Sequence, residues 1–391
     1  METIISQDYS DYELIISDDH STDGTDAYLS TLVHPRVKIV HPPEELSMTE
    51  HWEWALARAR GEWLMFVGQD DGLQPYFFRL ADRLTGIAQK ADLRTIMSER
   101  AYFFWPGCES VYGDIAVGYH ARNSVKIHNC LYGATKALFG LQSYFNLPEM
   151  YTTSLFHRDI ISEAKQKQHG RLLSTHPQDA NLAAIACSLE NRYLMSYIPL
   201  GWVGSSLRSA GLAISFNGPD PDAPGQNNAV ESLKKEYVGK INRSELEYNY
   251  LAGDFLFEDA SIYLWQSFLQ TRDLRSPFVN KILNSKLFKS ILFCRVLNNV
   301  GSSGNSTVRL PMFKEILERN QCIFGLIELF SKISFLAAGI FLMAGRVLRK
   351  VSRLLSNCLN YTVARSHDPS MDIVRASERV NELITKKEWI I

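Results

Sequence analysis

Cysteine is scarce in this sequence and carries no pattern. The six cysteines among 391 residues, Cys108, Cys130, Cys187, Cys294, Cys322 and Cys358, form no CxxC pair and no metal-ligand spacing. That excludes a disulfide-stapled or zinc-ribbon framework and predicts free thiols in a reducing compartment. The N-terminus, Met1-Glu2-Thr3-Ile4, has no basic stretch leading into an apolar run, so no secretory signal is expected. A long apolar run is also missing. The strongest, Ile333 to Gly345, is 13 residues and as a helix reaches about 20 Å, short of the ~30 Å hydrocarbon core. No Gly-rich phosphate loop follows the first strand, which argues against a nucleotidyltransferase. No recognised nucleic-acid motif interleaves the basic residues, so no nucleic-acid partner is expected.

What is present is an ordinary folded composition, 46% hydrophobic and 21% charged, which excludes global disorder. The length exceeds what a single core usually supports and predicts a domain of roughly 200 residues plus a second region. The net charge of −2 hides an asymmetry: Lys281 to Arg365 holds 13 Lys or Arg against 3 Asp or Glu, and the rest of the chain is acidic. Arg346, Arg349, Lys350 and Arg353 follow the apolar run at helical spacing, a pattern that suits a helix lying on anionic headgroups. A helical domain with a solvated basic face is the alternative.

Tyr12 to Ser17 reads as a short buried strand ending in Asp18-Asp19, followed by a turn and a helix over Thr25 to Leu32. Val37 to Val40 is a second strand. Ser47 and Glu50 form a capping box for a helix through Ala59. Trp63 to Val67 is a third strand, followed by Gly68-Gln69-Asp70-Asp71-Gly72, and Pro75 opens a helix to Gln89. This β-α-β-α-β-α order predicts a parallel sheet covered on both faces, with ligands bound beyond the carboxyl ends of the strands. Both aspartate pairs sit at such ends, where they repel unless a cation or hydrogen-bond donors offset them. Further on, Ala134 to Phe145 and Thr175 to Leu189 read as helices, and Tyr151 to His157 and Tyr193 to Ile198 as strands. Asn217 to Asn228 and Gly301 to Ser306 read as loops.

Two blocks carry a resemblance. Asp8 to Thr25 (DYSDYELIISDDHSTDGT) and Met48 to Pro75 (MTEHWEWALARARGEWLMFVGQDDGLQP) resemble the glycosyltransferase family 2 segments with a strand ending in Asp-Asp-x-Ser and, downstream, a DxD-type motif. Gln69 stands where many relatives have an acid. The resemblance covers roughly residues 1 to 205. It implies a GT-A, Rossmann-like α/β fold, a mostly parallel sheet flanked by helices, followed by a mainly helical C-terminal region. Family members begin with one more strand and a helix. Here about eleven residues precede Tyr12, so the first strand is expected to be missing, with Ile4 to Gln7 as the tail of that helix.

The resemblance also implies chemistry. A divalent cation, Mn²⁺ or Mg²⁺, neutralises the nucleotide diphosphate as the sugar leaves. Asp71 is the implied metal ligand, Asp70 touches the metal shell or the ribose, and Asp18 and Asp19 match the nucleotide-recognising pair. Asp179, in His176-Pro177-Gln178-Asp179, is the implied base that takes the acceptor proton. An aspartate in a first helical turn is also favoured by the helix dipole alone. His157 and His176 rank lower as bases. Trp202 could stack on an acceptor sugar, with packing as the alternative, and Arg208 could touch the diphosphate. The expected organisation is residues 1–205 as the transferase domain, 206–280 as a loop and helical extension, and 281–391 as a basic helical region at a membrane surface. The implied activity is inverting transfer of a hexose from a nucleotide-sugar donor, UDP by default, to a glycan or lipid-linked acceptor in surface-polysaccharide synthesis. The expected location is the cytoplasm, peripheral at the inner face of the cell membrane. A non-catalytic, truncated protein acting as an interaction or membrane-binding module is the competing reading.

Overall fold

The computed structural model describes residues 1–174, 177–206, 260–293, 317–318, 321–323, 325, 358–365, 370–387 and 389, without the side chains of Ser110 and Val111. The two loops and the apolar and basic run read from the sequence lie outside these residues, as do His176 and Arg208.

The N-terminal elements form where the pattern places them, in shorter versions. Helix α1 (Glu2–Ile5) leads into β1 (Leu14–Ser17), α2 (Thr25–Ser30) and β2 (Val37–Val40). The capping box forms: the Ser47 hydroxyl accepts from the Glu50 N–H and the Glu50 carboxylate from the Ser47 N–H, starting α3 (Met48–Leu56). The third strand keeps two residues, β3 (Trp63–Leu64), plus a bridge from Phe66 to Tyr151. After β4 (Gly72–Leu73), α4 (Phe77–Lys90) buries Phe77, Leu80, Leu84 and Ala88, a stripe at helical spacing that faces the core.

The sheet is mixed. β1 and β2 pair in parallel and form a sheet of their own. β3 pairs antiparallel with β9 (Ser154–His157), so the first three strands do not share one parallel sheet. A cleft lies between them, lined by Leu14, Ile15 and Ser17 on one side and Trp63 to Val67 on the other. The first five-stranded sheet runs β3-β9-β5-β10-β8, with β5 (Thr95–Ser98), β8 (Val125–Asn129) and β10 (Arg192–Ser196). The second runs β12-β7-β6-β11-β4, with β6 (Ala101–Phe104), β7 (Ile115–Arg122), β11 (Gly201–Ser205) and β12 (Cys358–Ala364).

The two sheets meet at a bend. β5 pairs in parallel with β10, and β6, which follows β5, pairs in parallel with β11, which follows β10. Ser98 faces Ser196 and Ala101 faces Trp202, so one chain crosses the bend with more residues than the other. The unequal connections carry both chains from one sheet into the other. Arg100 sits in this bend.

Three further elements differ from the sequence reading. The helix expected from Thr175 begins later, as α8 (Gln178–Leu189), because Pro177 takes the extended N-cap position (φ −72°, ψ 144°). The helix expected from Ala134 is α6 (Cys130–Leu138), started by the Asn129 side chain accepting from the Tyr132 N–H at 2.8 Å. In the region read as helical, Cys358–Ala364 is a strand on the edge of the second sheet, paired with β7. Its alternating Leu359, Tyr361 and Val363 pack on the core, a period-2 pattern that suits a strand. The helix Ile373–Thr385 closes on the same core, where Ser377 Oγ accepts from the buried Trp202 Nε1 at 2.8 Å. Trp202 is therefore a packing residue. The helix Ala260–Gln270 shares a core with α6 and α8, so the N-terminal domain and the extension are packed as one body there. No described helix is long and apolar enough to cross a membrane. The five described cysteines are free.

Candidate active site

The turn between β3 and β4 carries Asp70 and Asp71, and it is clamped from two directions. Asp71 is buried. Its Oδ1 accepts from the Gly204 N–H at 2.7 Å; its Oδ2 accepts from the Gly68 N–H at 2.9 Å and from the Thr152 hydroxyl. Glycine is required on both sides. A Cβ on Gly68 would lie 2.1 Å from the Tyr151 hydroxyl, and one on Gly204 would lie 1.8 Å from the Asp70 carbonyl oxygen. Burial, then the charges of Asp71 and Asp70, push the Tyr151 phenol well above its usual range.

Asp70 is the freer member of the pair. Its Oδ2 accepts from the Ser206 hydroxyl at 3.2 Å, and its carbonyl accepts from Trp105 Nε1 at 2.8 Å. Burial and the neighbouring Asp71 raise its carboxyl to about 6. A raised carboxyl beside a second carboxylate marks unbalanced negative charge.

Asp179 is the second residue of α8 and faces the same cleft, a space of about 1730 Å³ that Asp70 and Asp71 also line. Its Oδ2 accepts from the Tyr144 hydroxyl at 3.1 Å and its Oδ1 from the Ala180 N–H at 2.8 Å. Burial raises its pKa, against the pull of Ala180, Arg100 and Tyr144. Arg100, from the bend, ion-pairs with the buried Glu149 and lies over the Phe145 ring at 4.6 Å. Burial pushes Glu149 up to about 8 against the pull of Arg100, with Asp179 and Asp71 adding to the rise.

Asp18 and Asp19 are placed differently. They stand at the end of β1, and neither lines the cleft. Asp18 is buried; its Oδ2 accepts from the Ser21 N–H at 3.4 Å and lies 3.5 Å from His41 Nδ1. Asp19 Oδ1 accepts from the Leu46 N–H at 3.1 Å. Ser17, one residue earlier, does reach the cleft, with its hydroxyl 2.7 Å from His51 Nε2. Asp18, Asp26 and His41 offer ligand atoms within 4.8 Å of one another, a second place where a cation has carboxylate and imidazole donors. His157 Nδ1 accepts from the Asp159 N–H at 3.2 Å and caps α7 (Arg158–Lys167), a structural use.

The sequence reading missed Arg100, Tyr144, Glu149, Tyr151, Thr152 and Gly204. One signal was available for Glu149: it is the only acidic residue between Asp114 and Asp159. The others are brought in by packing over long sequence separations.

The donors at Asp70 and Asp71 are hard oxygens and suit Mg²⁺ or Mn²⁺. The Asp70 carboxylate, raised by burial and Asp71, accepts from the Ser206 hydroxyl and from the backbone N–H groups of Ser206 and of Asp70 itself. Asp71 is the more buried of the two and accepts from Gly204, Gly68, Thr152 and Tyr151, so within the pair Asp70 has the larger capacity for a cation.

Residues 1–85 match the family model described as Glycosyl transferase family 2. The match is confined to the N-terminal region of a mixed α/β fold. No curated protein matches the chain. Among solved structures, S. aureus TarS residues 1–349 in complex with UDP-GlcNAc is 11% identical, covering 82% of this chain and 86% of that chain at a TM-score of 0.40. S. aureus TarS 1–349 alone is 14% identical over the same shares, at a TM-score of 0.38. At these identities and TM-scores the likeness carries no argument about function.

Proposed function

We propose that this chain is a cation-assisted glycosyltransferase that moves a sugar, a hexose, from a nucleotide diphosphate to the hydroxyl of a glycan or lipid-linked acceptor, with inversion. The supporting observation is that one cleft is lined by Asp70, Asp71 and Asp179. The first two form a carboxylate pair and the third is a carboxyl raised by burial.

Asp70 holds the cation, with Asp71 completing the negative charge while fixing the turn to Gly204, Gly68 and Thr152. A bound Mg²⁺ or Mn²⁺ supplies positive charge against the diphosphate as it departs. Asp179 accepts the proton of the acceptor hydroxyl. Its raised pKa suits that task, because a base works best when its pKa lies near the working pH. The Tyr144 hydroxyl and the Ala180 N–H hold the carboxylate in place, and with the positive charge of Arg100 they offset part of the effect of burial. Asp18 and Asp19 are kept as nucleotide contacts by resemblance only, and their local hydrogen bonds favour a structural share in the role.

The test is calorimetric titration of the chain with UDP, GDP and dTDP, with and without Mn²⁺. Mn²⁺-dependent binding of one nucleotide, lost in Asp70→Ala, is the expected result. A folded chain that binds none of the three favours the non-catalytic reading, to which the local engagement of Asp18 and Asp19 already lends weight.

A further inference from the structure

One face of the protein presents apolar side chains to solvent without covering them. On α6, Leu131 is 74% and Tyr132 68% exposed, and Phe139, just past its end, shares the Leu131 face at helical spacing. Leu141 follows at 68%. The helix Pro277–Leu283 adds Phe278 at 72% and Ile282 at 44%, and Leu287 lies just beyond at 54%. The two segments belong to one packed body. The Phe139 and Phe288 rings meet edge to face at 6.0 Å, and Trp265 Nε1 donates to the Leu283 carbonyl at 2.9 Å. Single exposed apolar residues need no explanation, but a group of this size marks an interaction site.

The charge on these segments has one sign. Residues 125–148 and 277–293 hold no Asp and no Glu; Glu149, just past the first segment, is buried, and Asp273 lies four residues before the second. Lys126, Lys281 and Lys286 are exposed, and the half-exposed Lys136 ammonium stands 5.3 Å from the Tyr132 ring centroid. Lysine is depleted in the cores of protein–protein interfaces, which disfavours a second copy of the chain. Leu, Phe and Tyr flanked by Lys, with aliphatic stems along the surface and ammonium heads above it, match an anionic bilayer surface.

We infer that this face docks on an anionic lipid surface. The inference does not require sugar transfer. Phe145 is 39% exposed, lines the cleft and carries the Arg100 guanidinium over its ring. The apolar face thus reaches the cleft through Leu141 to Phe145, and a lipid-anchored acceptor on the bilayer would meet the cleft from that side.

The experiment is sedimentation of the full chain with vesicles of phosphatidylcholine alone and with phosphatidylglycerol added. Wild type is expected to bind the anionic vesicles more strongly, and less so in high salt. Leu131→Asp with Phe278→Asp, and separately Lys281→Glu with Lys286→Glu, should each weaken binding by roughly tenfold or more. Val33→Asp, at a position 94% exposed elsewhere, should change nothing. Thermal melts check folding, and Leu141→Asp replaces any variant that fails to fold. Absence of wild-type binding overturns the inference. Patch variants that bind like wild type also overturn it, by assigning the contact to another part of the chain. Patch variants that change self-association in sedimentation velocity without affecting vesicle binding overturn it in favour of a second copy.

Discussion

The two aspartate pairs look alike in sequence and are held in opposite ways. Asp70-Asp71 follows β3 and is gripped by Thr152, Gly204 and Ser206, all distant in the chain. Asp18-Asp19 follows β1 and bonds within its own neighbourhood, to Ser21, His41 and Leu46. Only the first pair lines the cleft with Asp179. A strand-end carboxylate becomes part of a site when distant elements close over it and set its charge. The motif alone supplies only the residue type.

This contrast predicts unequal costs. The largest belongs to the clamp. Gly204→Ala would put a methyl 1.8 Å from the Asp70 carbonyl oxygen, against backbone that cannot swing away. Asp71→Ala would leave the Gly68 and Gly204 N–H groups and the Thr152 hydroxyl without their acceptor, at about 1–3 kcal/mol for each that stays buried and unpaired. Chemical denaturation should show both variants far less stable than Asp18→Ala. Similar losses in all three would erase the distinction drawn between the pairs.

Next in size is an effect on turnover. Asp179→Asn keeps the shape and removes the base, so turnover should fall about 10²–10⁴-fold while nucleotide binding in calorimetry stays as in wild type. Near-normal turnover would remove Asp179 from the chemistry and leave it a first-turn acid at a helix dipole.

A moderate effect concerns pH. Glu149 has a folded value of about 8 against an ordinary 4.5, so the folded state holds this proton more tightly than the unfolded one. The associated stability is present in full below about pH 4.5 and is lost as the pH rises through 8. Thermal melts of wild type should decline across this window, and Glu149→Gln should flatten that part of the decline. An unchanged profile in the variant would place the titration elsewhere. The smallest effect is expected for Asp19→Ala, which gives up one half-buried bond to the Leu46 N–H, about 1 kcal/mol or less. A strong loss of nucleotide affinity there, with stability intact, would restore Asp19 as a direct nucleotide contact.

Much of the local structure was legible in the sequence. The capping box at Ser47 and Glu50, the strand at Val37–Val40 and the amphipathic helix after Pro75 all depend on nearest neighbours. The sheet was not. A β-α-β order predicts parallel neighbours, yet β3 pairs antiparallel with β9, ninety residues on, because partner choice is a long-range matter that periodicity does not encode. The edge strand Cys358–Ala364 was hidden for a related reason: its alternation is short and lies beside a basic stretch that dominates the pattern. Asp70, Asp71 and Asp179, which line one cleft, were singled out by the resemblance, since position after a strand or at a helix start does not by itself mark a site. Arg100 and Glu149 were not, since their pairing joins the β5–β6 connection to a segment some fifty residues on.

The carboxylates that hold the cation are the central question for this molecule. Electron paramagnetic resonance of Mn²⁺ bound to the chain with UDP present decides this directly. Bound Mn²⁺ should be retained in Asp26→Ala and in His41→Ala and lost in Asp70→Asn. Retention in Asp70→Asn with loss in His41→Ala would contradict the account and move the cation to the cluster at Asp18.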